Sequence, residues 1–207
     1  MESAQHLRHG HAVVIGASLA GLLAARVLSE RFERVTLVER DTLPNGAEPR
    51  KGVPQARHVH ALLIRGERII ERLFPGIVAT LLEGGAIAGR SGQPMRWFDF
   101  GCWKQHFQSD LRSVALSRPC LEFHVRKRLL ERQNVRILDG TVVTRFAADW
   151  DCSRATGVYT RGRHSLTMLD EPMSADLVVD ASGRGSQTPQ RIEELGYERP
   201  EEALVKV

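Results

Sequence analysis

One stretch, HAVVIGASLAGLLAARVLS from His11 to Ser29, restricts the possible folds more than any other part of the chain. Ala12, Val13, Val14 and Ile15 are apolar and mostly β-branched, and they stop at Gly16, the pattern of a buried strand entering a tight turn. From Leu19 the period changes. Leu19, Leu22, Leu23 and Val27, with the small Ala20, Ala24 and Ala25, fit a helix that ends near Ser29. Between the two elements lies Gly16-Ala17-Ser18-Leu19-Ala20-Gly21, a G-x-S-x-x-G form of the dinucleotide-binding fingerprint. Gly16 permits the sharp turn, Ser18 stands where the backbone approaches a pyrophosphate, and Gly21 lets the helix close on the strand. The unbonded N–H groups and positive dipole end of the helix then attract phosphates.

Context strengthens the motif. A second strand, Arg34–Val38, ends at Glu39, 23 residues after Gly16. An acid at that place accepts hydrogen bonds from an adenosine ribose and favours FAD or NAD over a 2′-phosphorylated nucleotide. The plainer reading makes Glu39 the cap of a surface loop. The order strand, glycine turn, helix, strand, acid favours nucleotide binding.

At 207 residues and 42% hydrophobic content, the chain can form one large domain or two small ones around a packed core. Its net charge of +4 comes from 25 arginines against 4 lysines, dispersed along the chain. Such dispersal suits an anionic ligand and argues against a nucleic-acid-binding arm. Cys102, Cys120 and Cys152 form no C-x-x-C pair and no metal-ligand spacing, so reduced thiols, no metal site and a cytoplasmic location are expected. The polar start MESAQHLRHG lacks a signal-peptide core, and no apolar run approaches the ~18 residues of a membrane helix.

Residues 41–49 are a breaker-rich loop. After Arg50 to His60, a helical run carries Leu62, Leu63, Ile69, Ile70 and Leu73 as far as Pro75-Gly76. A short helix over 77–82 ends at Gly84-Gly85. The aromatic group from Trp97 to Trp103 reads as strand or pocket wall, core more readily than cofactor box, and is assigned no chemistry. Ser117-Arg118-Pro119 leads into a helix from Leu121 to Gln133, with Leu121, Val125, Leu129 and Leu130 on its apolar stripe. Glu122, Arg126, Lys127, Arg128 and Glu131 read as its solvated face, with a Glu122–Arg126 pair. Strands are expected at Val135–Leu138 and Thr141–Phe146, as a pair at Gly157–Thr160 and His164–Met168, and at Ala175–Asp180. This order predicts an α/β fold, a parallel sheet with a small antiparallel β insertion. The last strand should lie beside the first, with Asp180 at the nucleotide edge.

Three stretches together resemble the flavoprotein monooxygenases, the FAD-dependent aromatic hydroxylase and epoxidase superfamily. They are VVIGASLAGLLAARVL with VER at the second strand, PRKGVPQARHVHALL with SRPCLEFHVRKRL, and ADLVVDASGRGS. The resemblance covers almost the whole chain. It implies a Rossmann-like FAD-binding domain over 1–190 and the start of a truncated substrate domain over 191–207. Gly16, Ser18, Leu19 and Ala20 would meet the FAD pyrophosphate with Gly21 behind them, Glu39 and Arg40 the adenosine, and Arg50 and Arg118 the phosphates or ribityl chain. Guanidinium forks suit phosphate oxygens, although each arginine also reads as a plain surface cation. Asp180-Ala181-Ser182-Gly183-Arg184 resembles a second nucleotide motif that touches the flavin and the passing nicotinamide donor. Ala-Ser stands where many aromatic hydroxylases have glycine, closer to the epoxidase-like branch, and Asp180 also reads as a residue bonding its own turn. Gln55, His58 and His60 read either as flavin neighbours or as satisfied polar groups at a helix start. No catalytic acid or base is assigned.

The implied reaction uses NADH or NADPH and O2 to hydroxylate or epoxidise a small organic substrate. The flavin supplies the chemistry, while the protein orients the reactants and excludes water. A flavin-dependent reductase or halogenase is an alternative, though the W-x-W-x-I-P pattern of halogenases is missing. A short-chain dehydrogenase fits worse, because neither Tyr159 nor Tyr197 has a lysine four residues on. A non-catalytic FAD-binding remnant or interaction module is the rival from another class. Members of the family are about twice this long and carry a later G-D motif, so the chain reads as an N-terminal portion completed by a missing C-terminal half or a partner.

Overall fold

A computed structural model describes residues 9–58, 60–90, 98–105, 107, 112–163 and 169–203. It begins with strand β1 (His9–Ile15), helix α1 (Leu19–Leu28) and strand β2 (Phe32–Val38). A loop and a 3-10 turn (Pro54–Arg57) lead to β3 (His60–Leu63), α2 (Ile64–Leu73), α3 (Ile77–Glu83) and β4 (Ile87–Arg90). Next come β5 (Phe98–Asp99), β6 (Cys102–Trp103), β7 (Arg112–Leu116) and α4 (Arg118–Leu130). The chain continues with β8 (Val135–Leu138), β9 (Thr141–Ala148), β10 (Ala155–Gly162), β11 (Glu171–Ser174) and β12 (Leu177–Asp180). A second 3-10 turn (Gly183–Gly185) and α5 (Thr188–Glu194) follow. Two compact units result, Met1–Thr42 with Arg132–Val207, and Leu43–Glu131. Among the described residues, no helix is long and apolar enough to cross a membrane.

In the first unit a parallel sheet has the order β12-β1-β2-β8, so the last strand does lie beside the first. Ala12, Val13 and Val14 are fully buried because both faces of β1 are covered. Val14 faces Gly21 of α1. On the opposite face Val13, Ile15 and Val38 pack with Val143, Val158 and Ala175 of the antiparallel sheet β11-β10-β9 and the residue after it. The strand paired with β10 on this side is β11, Glu171–Ser174; the expected pair at His164–Met168 lies outside the described residues.

A polar chain runs from the exposed Arg136 to the buried Thr36 and His11 on this face. Arg136 Nε donates to Thr36 Oγ1 at 2.9 Å, and Thr36 Oγ1 lies 2.9 Å from His11 Nε2. His11 Nδ1 lies 2.6 Å from the Ser174 carbonyl, which only accepts, so Nδ1 carries the proton. Burial lowers the His11 pKa from the ordinary 6.5; the Ser174 carbonyl raises it, Arg34 and Arg136 lower it further, and Asp176 raises it. Because the folded state resists this proton more than the unfolded state does, stability is complete above pH 6.5 and falls as the pH drops below it. His124, lowered by burial and then by Lys127, acts in the same direction. Urea unfolding at about pH 7.5 and about pH 5.5 should show a smaller acid loss for His11→Gln than for the wild type. Equal losses would remove His11 from the explanation.

The second unit holds the antiparallel sheet β3-β7-β4 with α2, α3 and α4. Leu62 and Leu63, expected on a helix, are on β3, which pairs residue by residue with β7 from His60↔Leu116 to Leu63↔Ser113. Leu62 turns inward beside Val114 in register while Leu63 is 70% exposed, the period-two alternation of a strand. The helix starts only at Ile64. Of the aromatic group expected in the core, Trp97 lies outside the described residues, while Phe98 and Trp103 on the two-strand ribbon β5-β6 and Phe100 in its turn are exposed. Phe98 and Trp103 cover each other edge-on. Helix α4 begins earlier than expected, because Ser117 Oγ accepts the Cys120 N–H at 3.2 Å and Pro119 fits the first turn.

Candidate nucleotide-binding site

Strands β12, β1 and β2 run parallel, and the register sets Ile15 beside both Asp180 and Val38. The segments leaving their carboxyl ends therefore share one sheet edge, the place where open α/β sheets bind ligands. Gly16 N–H donates to the Val38 carbonyl and Ala181 N–H to the Ile15 carbonyl, each at 2.8 Å. Gly16 has φ +98°, and a Cβ there would lie 2.8 Å from the Ala181 carbonyl oxygen. A Cβ on Gly21 would lie 1.9 Å from the Gly16 carbonyl oxygen. Both glycines are thus fixed by backbone, Gly16 by conformation and Gly21 by the contact of helix and turn.

The first backbone bond of α1 runs from Leu22 N–H to the Ser18 carbonyl at 2.9 Å. The N–H groups of Leu19, Ala20 and Gly21 precede it and have no carbonyl within the helix to take them. No acidic residue occupies this first turn. Backbone donors, a positive dipole end and a first turn without acidic residues suit a dinucleotide pyrophosphate.

Glu39 is buried at 4% exposure. Its Oε2 accepts the Ala17 N–H at 2.8 Å and its Oε1 the Asp41 N–H at 2.9 Å. The carboxylate consequently ties the end of β2 to the glycine turn. Arg40 is exposed, with Nη1 at 3.8 Å from where a Cβ of Gly185 would stand, so its guanidinium lies by the Gly183–Gly185 turn.

Asp180 organises that turn. Its Oδ1 accepts the Ser182 N–H at 2.8 Å and the Ser182 hydroxyl at 2.5 Å. Its Oδ2 accepts the Ser186 hydroxyl at 2.5 Å and also the Thr188 hydroxyl. Burial pushes the Asp180 carboxyl up, but the bonds from Ser182, Ser186 and Thr188 outweigh it and hold the pKa below its ordinary value. The hydroxyls at two, six and eight residues after Asp180 were not singled out in the sequence, although their spacing is the signal that could have found this cluster.

Arg50 and Arg118 belong to the second unit, where they meet on Glu122. Arg50 Nε donates to Glu122 Oε1 at 2.8 Å, and Arg118 Nε stands 3.8 Å from Oε2. The side chains of Arg50 and Glu122 are each 7% exposed and that of Arg118 17%, so neither arginine is a plain surface cation. Burial lowers the Arg118 pKa, Glu122 opposes this and Arg50 adds to it. The expected solvated face of α4 is therefore corrected at two positions. Glu122 and Arg126 are buried, and Arg126 Nη2 donates to the Pro44 carbonyl, because chain preceding the helix by many residues covers that face. His60 does not stand at a helix start; it opens β3, and its Nδ1 donates to the His58 carbonyl at 2.7 Å.

The parallel order, the glycine turn after β1 and the buried acid after β2 define a Rossmann-like α/β fold of the kind found in FAD-dependent monooxygenases. The chain is 36% identical over 209 aligned residues to Protein Rv3254 of Mycobacterium tuberculosis, an alignment covering 95% of this chain and 43% of that protein. Among solved structures it matches PqsL of Pseudomonas aeruginosa, described as a probable FAD-dependent monooxygenase, with TM-score 0.62 and 19% identity over 92% of this chain and 48% of that one. It also matches p-nitrophenol 4-monooxygenase PnpA of Pseudomonas putida, with TM-score 0.62 and 19% identity over 89% of this chain and 44% of that one. The chain spans less than half the length of each of these proteins. No family model matches it.

Proposed function

We propose that the chain is the FAD-binding portion of a flavoprotein monooxygenase that uses NADH or NADPH and O2 to hydroxylate or epoxidise a small organic substrate. The observation carrying this reading is the Ala17–Glu39 hydrogen bond, which joins the glycine turn and the acid of β2 into one preformed edge. The helix-start amides of Leu19 and Ala20, with Ser18, take the pyrophosphate; Gly16 and Gly21 give the turn its shape. Glu39 accepts from the adenosine ribose and, by its charge, disfavours a 2′-phosphate. Arg40 serves the adenosine end, Arg50 and Arg118 the phosphate oxygens, and Asp180 holds the second nucleotide turn in place. FAD, when bound, supplies the redox and oxygen chemistry. Three free cysteines suit a reducing compartment such as the cytoplasm.

Titration of FAD into the purified chain, followed by flavin fluorescence, should saturate with a Kd on the order of 1–10 μM. A folded chain that leaves FAD unbound would refute the reading. Binding without oxidation of NADH or NADPH would favour the non-catalytic module instead.

A further inference from the structure

We propose that Glu122 is a positioning residue, which sets the direction of the Arg50 and Arg118 guanidiniums toward a phosphate-bearing ligand. The inference rests on the reading above, in which those two arginines take phosphate oxygens. Arg118 and Glu122 are four residues apart on α4 and so share a face, while Arg50 arrives from the loop before the Pro54–Arg57 turn, 72 residues away in sequence. Both contacts use Nε. The carboxylate thus anchors Arg50 at its base by a hydrogen bond and draws Arg118 in by charge, one oxygen to each arginine, which restricts where their Nη groups can point. The Arg118 contact at 3.8 Å is a charge contact rather than a hydrogen bond. Like-charged guanidiniums repel, as the influence of Arg50 on Arg118 shows, so a shared acid is what allows the two to stand together.

Charge and position make opposite forecasts, which makes the proposal testable. Glu122→Gln removes a negative charge and by electrostatics alone should tighten the binding of an anion. As a positioning residue, its loss should weaken binding, because the amide nitrogen of Gln presents a donor to a donor. Glu122→Asp keeps the charge but shortens the reach by one methylene. Titrations of FAD and of inorganic pyrophosphate, with thermal unfolding run in parallel, should show about tenfold weaker binding of both ligands in each variant. In a cycle with Arg118→Gln, the Glu122→Asp/Arg118→Gln pair should lose less than the sum of the single losses. Unchanged or tighter binding, or strict additivity, overturns the proposal; if Glu122→Gln does not fold, Glu122→Asp decides. A wild-type chain that takes pyrophosphate in a Glu122-dependent way but ignores FAD keeps the role of Glu122 and refutes the flavin reading. A folded wild-type chain that takes neither ligand refutes both.

Discussion

Gly21→Ala is expected to abolish FAD binding and to lower the melting temperature by about 10 °C, from a stability loss of about 3 kcal/mol. The added methyl would stand 1.9 Å from the Gly16 carbonyl oxygen, and that oxygen belongs to backbone held by the Gly16 N–H bond to the Val38 carbonyl, not to a side chain that can swing away. Relief requires α1 to move off β1, which opens the packing at Val14 and shifts the helix-start amides away from the phosphate position. A control separates this contact from a general effect of replacing glycine. Gly66→Ala, near the start of α2, meets only Leu62 Cγ at 3.8 Å and should raise stability by up to about 1 kcal/mol through reduced freedom of the unfolded chain. Differential scanning calorimetry with an FAD titration on both variants checks the pair. Equal melting temperatures for Gly21→Ala and the wild type would show that the turn can yield.

The parts of the fold legible in sequence are those whose cause is local. β1, the glycine turn, α1 and β2 follow one another between His9 and Val38, and each boundary is set by a residue in the segment itself. Asp180 could be placed at the nucleotide edge because the apolar run before it pairs with β1, although β12 starts only at Leu177 and, as an edge strand, is exposed to half-buried rather than buried. Where the cause is distant, sequence reasoning misassigned the residues. Leu62 and Leu63 have helical spacing with Ile69 and Ile70, but β7, some fifty residues later, supplies the hydrogen bonds that make them a strand. Glu122 and Arg126 have the spacing of a solvated helical pair, but Arg50 and Pro44, brought in from the loop after β2, bond to them in a buried setting. At the candidate site the same division holds. The glycines and Glu39 were visible as a pattern, whereas the two amides Glu39 binds and the three side chains closing on Asp180 exist only once the sheet edge has formed.

Glu39→Ala should cost about 2–4 kcal/mol, since it leaves the Ala17 and Asp41 N–H groups without their carboxylate in a site only 4% exposed. Urea unfolding checks the loss, and a variant as stable as the wild type would mean that water replaces the carboxylate at no cost. Glu39→Gln separates the structural role from the binding role. Its amide keeps one acceptor oxygen for one of the two N–H groups and turns an NH2 donor on the other, so part of the stability returns while the fixed placement of the glycine turn does not. On the proposed reading the ribose also loses a charged acceptor, and hydrogen bonds to a carboxylate are about twice as strong as those to a neutral oxygen. FAD affinity should therefore fall by about tenfold or more in Glu39→Gln even where its unfolding midpoint is close to that of the wild type. If affinity and stability instead fall in step through both variants, Glu39 acts only by shaping the turn, and the ribose contact has to be assigned to another group at the same edge.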